Sequence, residues 1–369
     1  MEKPANSADR PIVVRDIASP LYPTVSVDET IIAAAGKFAA ANVAALPVVD
    51  SDRNLKGVLT QANVLAIVAS GADLTAIRCG DVAHEVTGVD PALIIERPGQ
   101  ARVAGVPIAP VIQDGKLLGV VTPDEVRVEL ELRNIYGERA AELITEISPE
   151  DGMHVGLRGL YLRQGVRGLG CIRRALKRSP ENDPRTVLDL PCGHGRVLRH
   201  LKLAFPDSEL TACDVDRGAV DFCASVLGAR PVYSETDLRE LRIDGVFDLI
   251  WVGSLLTHLD REPWGVLFSF LVEHLGPTGL LVFTTVGENN AIELLTQGIR
   301  DHQLDRMLAN YRNSGFSYQE YEGQSGWGLT MCSPEFVRGE LERHPSLEFV
   351  SLERHAWGPQ DVYAYSKSG

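Results

Sequence analysis

Thr186-Val187-Leu188-Asp189-Leu190-Pro191-Cys192-Gly193-His194-Gly195 is the stretch that decides the fold. It opens as a short apolar and β-branched run, the pattern of a strand buried on both faces. Cys192-Gly193-His194-Gly195 then turns the chain, and a helix is expected from about Arg196 to Ala204. Gly193 and Gly195 lack Cβ atoms, so a ligand can approach the backbone closely. Outward from this turn, Leu210 to Cys213 predicts the next strand and Arg217 to Leu227 the next helix. Phe247 to Val252 predicts a third strand, Arg261 to Leu275 a helix, and Gly279 to Val286 a strongly apolar strand. This alternation implies an α/β fold, a doubly wound, Rossmann-like parallel sheet with helices on both faces. Ligands of such sheets lie outside the carboxyl ends of the strands, near the switch point.

The acidic residues narrow the ligand. Asp189 ends the first strand, and Asp214-Val215-Asp216 ends the second, where a ribose-binding carboxylate belongs. A nicotinamide site asks for G-x-G-x-x-G, but the third glycine position is Leu198. Asp189 would also sit badly beside a pyrophosphate, whereas it suits an ammonium group. The plainer reading is that Asp189 and Asp214 merely cap helices.

Asp189-x-x-Cys192-Gly193-x-Gly195, followed by Asp214, resembles motifs I and II of class I S-adenosylmethionine-dependent methyltransferases, with Pro191 where a glycine is usual. Phe247 to Leu259 resembles motif IV and its following loop. The resemblance implies S-adenosyl-L-methionine as cofactor. Asp189, Cys192, Gly193, Gly195, Asp214 and Val215 would surround it, Asp237 and Leu238 would meet the adenine, and Gly253 and Ser254 would follow the fourth strand. It also implies a terminal antiparallel hairpin, which fits Leu347–Ser351 and Asp361–Tyr365. Cys192 reads as a small filler rather than a nucleophile. His258 has two readings, a packed or capping residue and a base for a hydroxyl acceptor.

The acceptor is expected to be a small molecule or glycan-like. Two segments outside the alternating core are candidate walls. His154 to Arg178 is rich in arginine, with glycines at 159, 165, 168 and 170 that predict a broken helix and a mobile lid. Its cations are either a solvated face or a site for an anionic acceptor. Glu288 to Gly328 is long and carries Tyr311, Phe316, Tyr318, Tyr321 and Trp327, either a binding wall or a satellite core.

The N-terminal part contains a repeat. Pro47 to Thr60 reads as a hairpin, and Pro110 to Thr122 repeats it, each closing on Gly-h-h-Thr, where h is apolar. Asp28-Glu29-Thr30 starts a helix to about Ala41, and Gln61 to Ala69 is a second. This unit resembles a CBS domain, and two in tandem resemble the α+β pair whose clefts often bind adenine nucleotides. Thr60, Asn63, Thr122 and Glu125 would line the clefts. Family members that bind adenosine usually end the motif Thr-x-x-Asp, so Asn63 and Glu125 are departures, and Pro98-Gly99 breaks the second copy's first helix. A structural or dimerising pair without ligand is the alternative, and a homodimer through the pair is expected from the resemblance.

The expected organisation is a CBS pair over 1–132, a helical linker over 133–151 that overlaps a helical connector read from Glu125 to Ile147, and a methyltransferase domain over 152–369. A net charge of −14 argues against non-specific nucleic-acid binding. No apolar run reaches membrane-spanning length, and Met1 to Arg10 is too polar for a signal peptide. The six cysteines are irregularly spaced with no CxxC, so no metal site is expected and a reducing cytoplasm is. Two function classes emerge: a methyltransferase, and a non-catalytic sensor of adenosine ligands.

Overall fold

The computed structural model describes residues 12–41, 43–95, 103–154, 158–287 and 301–368. Pro98-Gly99 and the first part of the Glu288–Gly328 segment lie outside the described residues. The chain divides into two compact units, 1–141 with 152–163, and 142–151 with 164–369.

In the first unit both repeats fold as antiparallel hairpins. β3 (Ala45–Val49) pairs with β4 (Leu55–Thr60), and β6 (Ala109–Gln113) with β7 (Lys116–Val121). The two tips bond each other: Leu55 N donates to Gly115 O at 3.1 Å and Leu117 N to Arg53 O at 2.9 Å. The segments leading each repeat are exchanged. Helix α1 (Val14–Ile17) is followed by Ser19, which bridges to Val120 of the second hairpin. Helix α4 (Cys79–Val82) is followed by His84, which bridges to Val58 of the first. This crossing explains the glycine of each Gly-h-h-Thr motif. A Cβ at Gly57 would lie 2.6 Å from His84 O, and one at Gly119 would lie 2.9 Å from Ser19 O.

Short β2 (Val25–Ser26) runs parallel to β3, and β1 (Ile12–Val13) pairs with β5 (Ile94–Ile95). Helix α2 (Ile31–Ala41) buries Ile31, Ala34 and Phe38, an i, i+3, i+7 stripe, against Leu46, Val48 and Val58. Thr60 and Thr122 cap helices α3 (Gln61–Ala69) and α5 (Pro123–Tyr136), the latter with Pro123 in its first turn. The expected connector helix to Ile147 ends early. Gly137, at φ +57°, stops α5, and a 3-10 segment runs only to Glu142.

In the second unit, helix α6 (Arg158–Leu176), which begins in the first unit, corrects the expected broken lid. Its glycines serve close packing: a Cβ at Gly165 would lie 2.1 Å from Arg196 O, and one at Gly168 would lie 3.1 Å from Val197. Contact with the loop after the glycine turn outweighs the roughly 1 kcal/mol propensity cost of each glycine. Arg174 of the helix and Arg178 just beyond it both bond Glu353, at 2.8 and 2.7 Å.

The strands that follow are β8 (Thr186–Asp189), β9 (Glu209–Asp214), β10 (Arg230–Tyr233), β11 (Phe247–Val252), β12 (Leu275–Thr285), β15 (Leu347–Trp357) and β16 (Gln360–Lys367). Among the described residues they form one seven-stranded sheet in the order β10-β9-β8-β11-β12-β16-β15. The first five are parallel, and β16 runs antiparallel to both neighbours, which is the expected terminal hairpin. The order reverses between β8 and β11, so the switch point lies beyond Asp189. Helices α7 (Leu198–Ala204), α8 (Arg217–Leu227) and α9 (Arg261–Glu273) come between strands. Trp264 of α9 packs edge-on against Phe268, which reaches Phe283 of β12, whose ring stacks on Tyr363 of β16 at 5.2 Å. Between β12 and β15 come α10 (Asp301–Ser314), the hairpin of β13 (Phe316–Glu320) and β14 (Gly328–Cys332), and α11 (Pro334–Leu341), which Ser333 caps.

Candidate active site

The glycine turn is shaped by two left-handed backbone positions and, at Gly195, a close contact. Gly193 and Gly195 adopt φ of +46° and +73°, the left-handed region where a Cβ is costly. A Cβ at Gly195 would also lie 2.3 Å from Leu227 Cδ1, so the turn can press onto α8 only as glycine. The Leu190–Pro191 peptide, where the usual first glycine is missing, is cis.

Asp214 closes β9 against this turn. Its Oδ2 accepts from Gly193 N at 2.8 Å and its Oδ1 from Asp216 N at 3.0 Å. Asp216 caps α8, accepting from Ala219 N at 3.2 Å. Asp189 is 1% exposed, and its Oδ2 has no hydrogen-bond partner. Burial, then the neighbouring Asp214 carboxyl, push its pKa well above the carboxylate range, while Arg196 opposes them. Burial raises Asp214 too, against the bonds from Asp216 and Gly193. Two buried carboxyls side by side, one with an orphan oxygen, suit a cationic ligand. Cys192 is buried beside Cys223, which with burial holds its thiol far above the usual range. A thiol kept protonated is a packing group, not a nucleophile.

A cleft of about 170 Å³ opens beside Asp214. Leu190, Pro191, Val215 and Ser234 line one part, Glu235, Thr236 and Leu238 another. Leu255, Leu259 and the tip Ser325-Gly326-Trp327 complete it. Val215, although 58% exposed, therefore faces the cleft. Asp237 does not line it: its carboxylate accepts from Arg239 N at 3.0 Å and pairs with the Arg239 guanidinium at 3.3 Å. Gly253 and Ser254 do not line it. A Cβ at Gly253 would meet Trp251 Nε1 at 2.8 Å. Ser254 N donates to Thr284 Oγ1 at 2.8 Å, and Ser254 Oγ accepts from Gln360 Nε2 at 2.9 Å, which ties this loop to β12 and the terminal hairpin.

His258 stacks on Trp327 at 4.6 Å. Its Nδ1 is 2.9 Å from Gly328 O, and a carbonyl only accepts, so Nδ1 carries the proton and Nε2 is left with the lone pair. Burial lowers its pKa, against the bond to Gly328, which favours the neutral ring. Of the aromatic segment, Trp327 faces the cleft and Tyr321 Oη lies 3.4 Å from His258, while Tyr311 joins a satellite core and Phe316 the main one.

Sequence reading missed a clamp on the turn. Arg199, on α7, is 1% exposed. It donates to Gly195 O at 2.9 Å, His194 O at 3.0 Å, Ile144 O at 3.0 Å and Glu146 O at 2.5 Å. The segment 142–151 is thereby held on the glycine turn. Nearby, buried Asp151 lies 4.0 Å from His194 Nδ1. The cleft residues Leu255 and Leu259 were legible in principle, as an i, i+4 apolar pair just past β11.

In the first unit, Thr60 and Asn63 form a reciprocal capping box: Thr60 N donates to Asn63 Oδ1 at 2.9 Å and Asn63 N to Thr60 Oγ1 at 3.2 Å. Thr122 Oγ1 accepts from Glu125 N at 3.3 Å, and Glu125 is buried. No cluster of His, Cys, Asp and Glu able to hold a metal occurs among the described residues. No helix among them is long and apolar enough to cross a membrane.

Residues 188–281 match a family model described as a methyltransferase domain, and residues 14–70 match one described as a CBS domain. Over 123 residues the chain is 28% identical to a malonyl-[acyl-carrier protein] O-methyltransferase of Anoxybacillus flavithermus, covering 33% of this chain and 47% of that protein. The protein of the same name from Legionella pneumophila is 29% identical over 117 residues, covering 31% of this chain and 40% of the relative. The match thus spans less than half the length of these curated relatives. Among solved structures, N-methyltransferase NodS from Bradyrhizobium japonicum is 18% identical with a TM-score of 0.36, covering 57% of this chain and 98% of that one. The chain thus carries a methyltransferase domain, preceded by a CBS domain.

Proposed function

We propose that the protein transfers a methyl group from S-adenosylmethionine to an oxygen of a small-molecule or glycan-like acceptor. The observation that carries this reading is the meeting of Asp189 and Asp214 at a glycine turn beside an apolar cleft. The residues present fit the cofactor. Asp189, with its orphan oxygen, would take the ammonium group, and Asp214 the ribose hydroxyls. Val215, Leu238, Leu255 and Leu259 would enclose the adenine, with Ser234, Glu235 and Thr236 at its polar edge. Asp237 would join them only by leaving Arg239. The bound cofactor supplies a methyl group already activated on a sulfonium. The protein's work is therefore to hold an acceptor in line and to exclude water.

His258 Nε2 is suited to take the proton of a hydroxyl. The names of the curated relatives support oxygen as the acceptor atom. Adenine-nucleotide binding and self-association by the N-terminal module belong to the same proposal.

Affinity for S-adenosylmethionine should rise with pH. In the free protein Asp189 titrates above the ordinary carboxylate range, and an ammonium partner favours its charged form. The complex then binds fewer protons than the free protein, so affinity climbs through the window below the raised pKa and levels off above it. Isothermal titration of the full chain across that window checks this. Affinity independent of pH, or falling as pH rises, would remove Asp189 as the ammonium's partner.

A further inference from the structure

Asn63 and Glu125 occupy matching places, each three residues past the threonine of a Gly-h-h-Thr motif. Their surroundings differ. Asn63 is half-buried and folds back on Thr60. Glu125 is 1% exposed, and its Oε1 accepts from Ser19 Oγ at 2.5 Å. Its Oε2, which has no hydrogen-bond partner, lies against the backbone of Gly159 in the first turn of α6. Ser19 Oγ in turn accepts from Arg158 N at 3.3 Å. A Cβ at residue 159 would lie 2.6 Å from Glu125 Oε2 and 3.1 Å from Glu125 Cα, so this approach requires glycine. One turn further on, Arg163 pairs with Asp124 at 3.2 Å. All these residues belong to the first unit.

Ser19 is the residue at which the exchanged leading segment crosses the second hairpin, as His84 crosses the first. Ser19, Thr122 and Glu125 therefore mark the second of two pseudo-equivalent clefts. We infer that this second cleft is a docking site for the chain's own helix, and that the start of α6 fills it in place of a ribose-bearing ligand. The chemistry is matched. Helix N-termini present unpaired N–H groups and a partial positive charge, and a carboxylate is stabilising there. Burying a carboxyl uncompensated is costly, and here the Ser19 hydroxyl, itself bonded by Arg158 N, links it to the helix start. Glutamate, one methylene longer than the aspartate of the resembled motif, reaches across to Gly159. A ribose would need the same carboxylate oxygens. Ligand entry and helix docking are therefore mutually exclusive here, and a ligand that did enter would release the first turn of α6. The ligand class rests on the CBS reading. The docking does not, and neither depends on methyl transfer.

The test is hydrogen exchange of the full chain, wild type against Gly159→Ala and the milder Ser19→Ala, paired with calorimetric titration by AMP. Exchange of the amides from 158 to 163 should accelerate at least tenfold in Gly159→Ala and less in Ser19→Ala. The amides of β6 and β7 should exchange as in wild type, which shows that the first unit is intact. Wild type should bind no more than one AMP per chain. Two AMP per wild-type chain, or unchanged exchange at 158–163 in both variants, overturns the inference. One or none per chain, together with the faster exchange, upholds it.

Discussion

Asp214→Ala is expected to lower the affinity of the full chain for S-adenosylmethionine by about 100-fold or more. On the proposed reading its carboxylate accepts two ribose hydroxyls, and a hydrogen bond to a charged group contributes about 1.5–3 kcal/mol. Each 1.4 kcal/mol is about tenfold in affinity, so two such bonds give at least that loss. The substitution also frees Gly193 N and Asp216 N, which Asp214 now holds at 2.8 and 3.0 Å. The turn would then lose part of its preorganisation. Asp214→Asn keeps an acceptor and removes the charge, so a smaller loss of about tenfold is expected. Isothermal titration measures both. An Asp214→Ala affinity within threefold of wild type would separate this carboxylate from cofactor binding.

Arg199→Ala is expected to destabilise the second unit by about 3–5 kcal/mol. The carbonyls of His194, Ile144 and Glu146 lose this donor together, while Gly195 O keeps the backbone N–H of residue 199 at 3.1 Å, and each buried group left unpaired costs about 1–3 kcal/mol, with less than full additivity. Arg199→Lys should recover only part of this, because a compact ammonium cannot serve four acceptors spread around a planar fork. All four tryptophans, Trp251, Trp264, Trp327 and Trp357, lie in the second unit. Urea unfolding followed by tryptophan fluorescence therefore reports on that unit. A loss below about 1 kcal/mol in Arg199→Ala would show that the clamp is not a stabilising element. The clamp also joins 144–146 to the glycine turn, so Arg199→Lys, where folded, should weaken cofactor binding.

The doubly wound sheet was legible because local pattern and tertiary role agree. Val187, Leu188 and Ile250 are fully buried, as continuous apolar strands of a parallel sheet must be. The turn was legible because only glycine tolerates its φ values. Helix α6 was misread because propensity treats Gly165 and Gly168 as breakers, whereas their reason is contact with residues some thirty positions later. Arg199 was invisible for the same reason. An arginine on an amphipathic helix reads as solvated, and only the fold brings carbonyls around it. The repeat of the first unit was plain, but the exchange of its leading segments was not. That exchange lies in pairings such as Ser19 with Val120, which leave no local periodicity. Within the cleft, motif spacing pointed to Asp237, while the backbone presents Ser234, Glu235 and Thr236.

The most direct measurement of the central claim is transfer of label from methyl-labelled S-adenosylmethionine. The full chain is incubated with the labelled cofactor and a fractionated cell extract, with Asp214→Ala as control. A methyltransferase moves the label into an acceptor fraction and releases S-adenosylhomocysteine in equal amount, and the control does neither. Cofactor that binds tightly yet is recovered intact, with no label in any fraction and no S-adenosylhomocysteine formed, would contradict the account and leave a sensor of adenosine ligands.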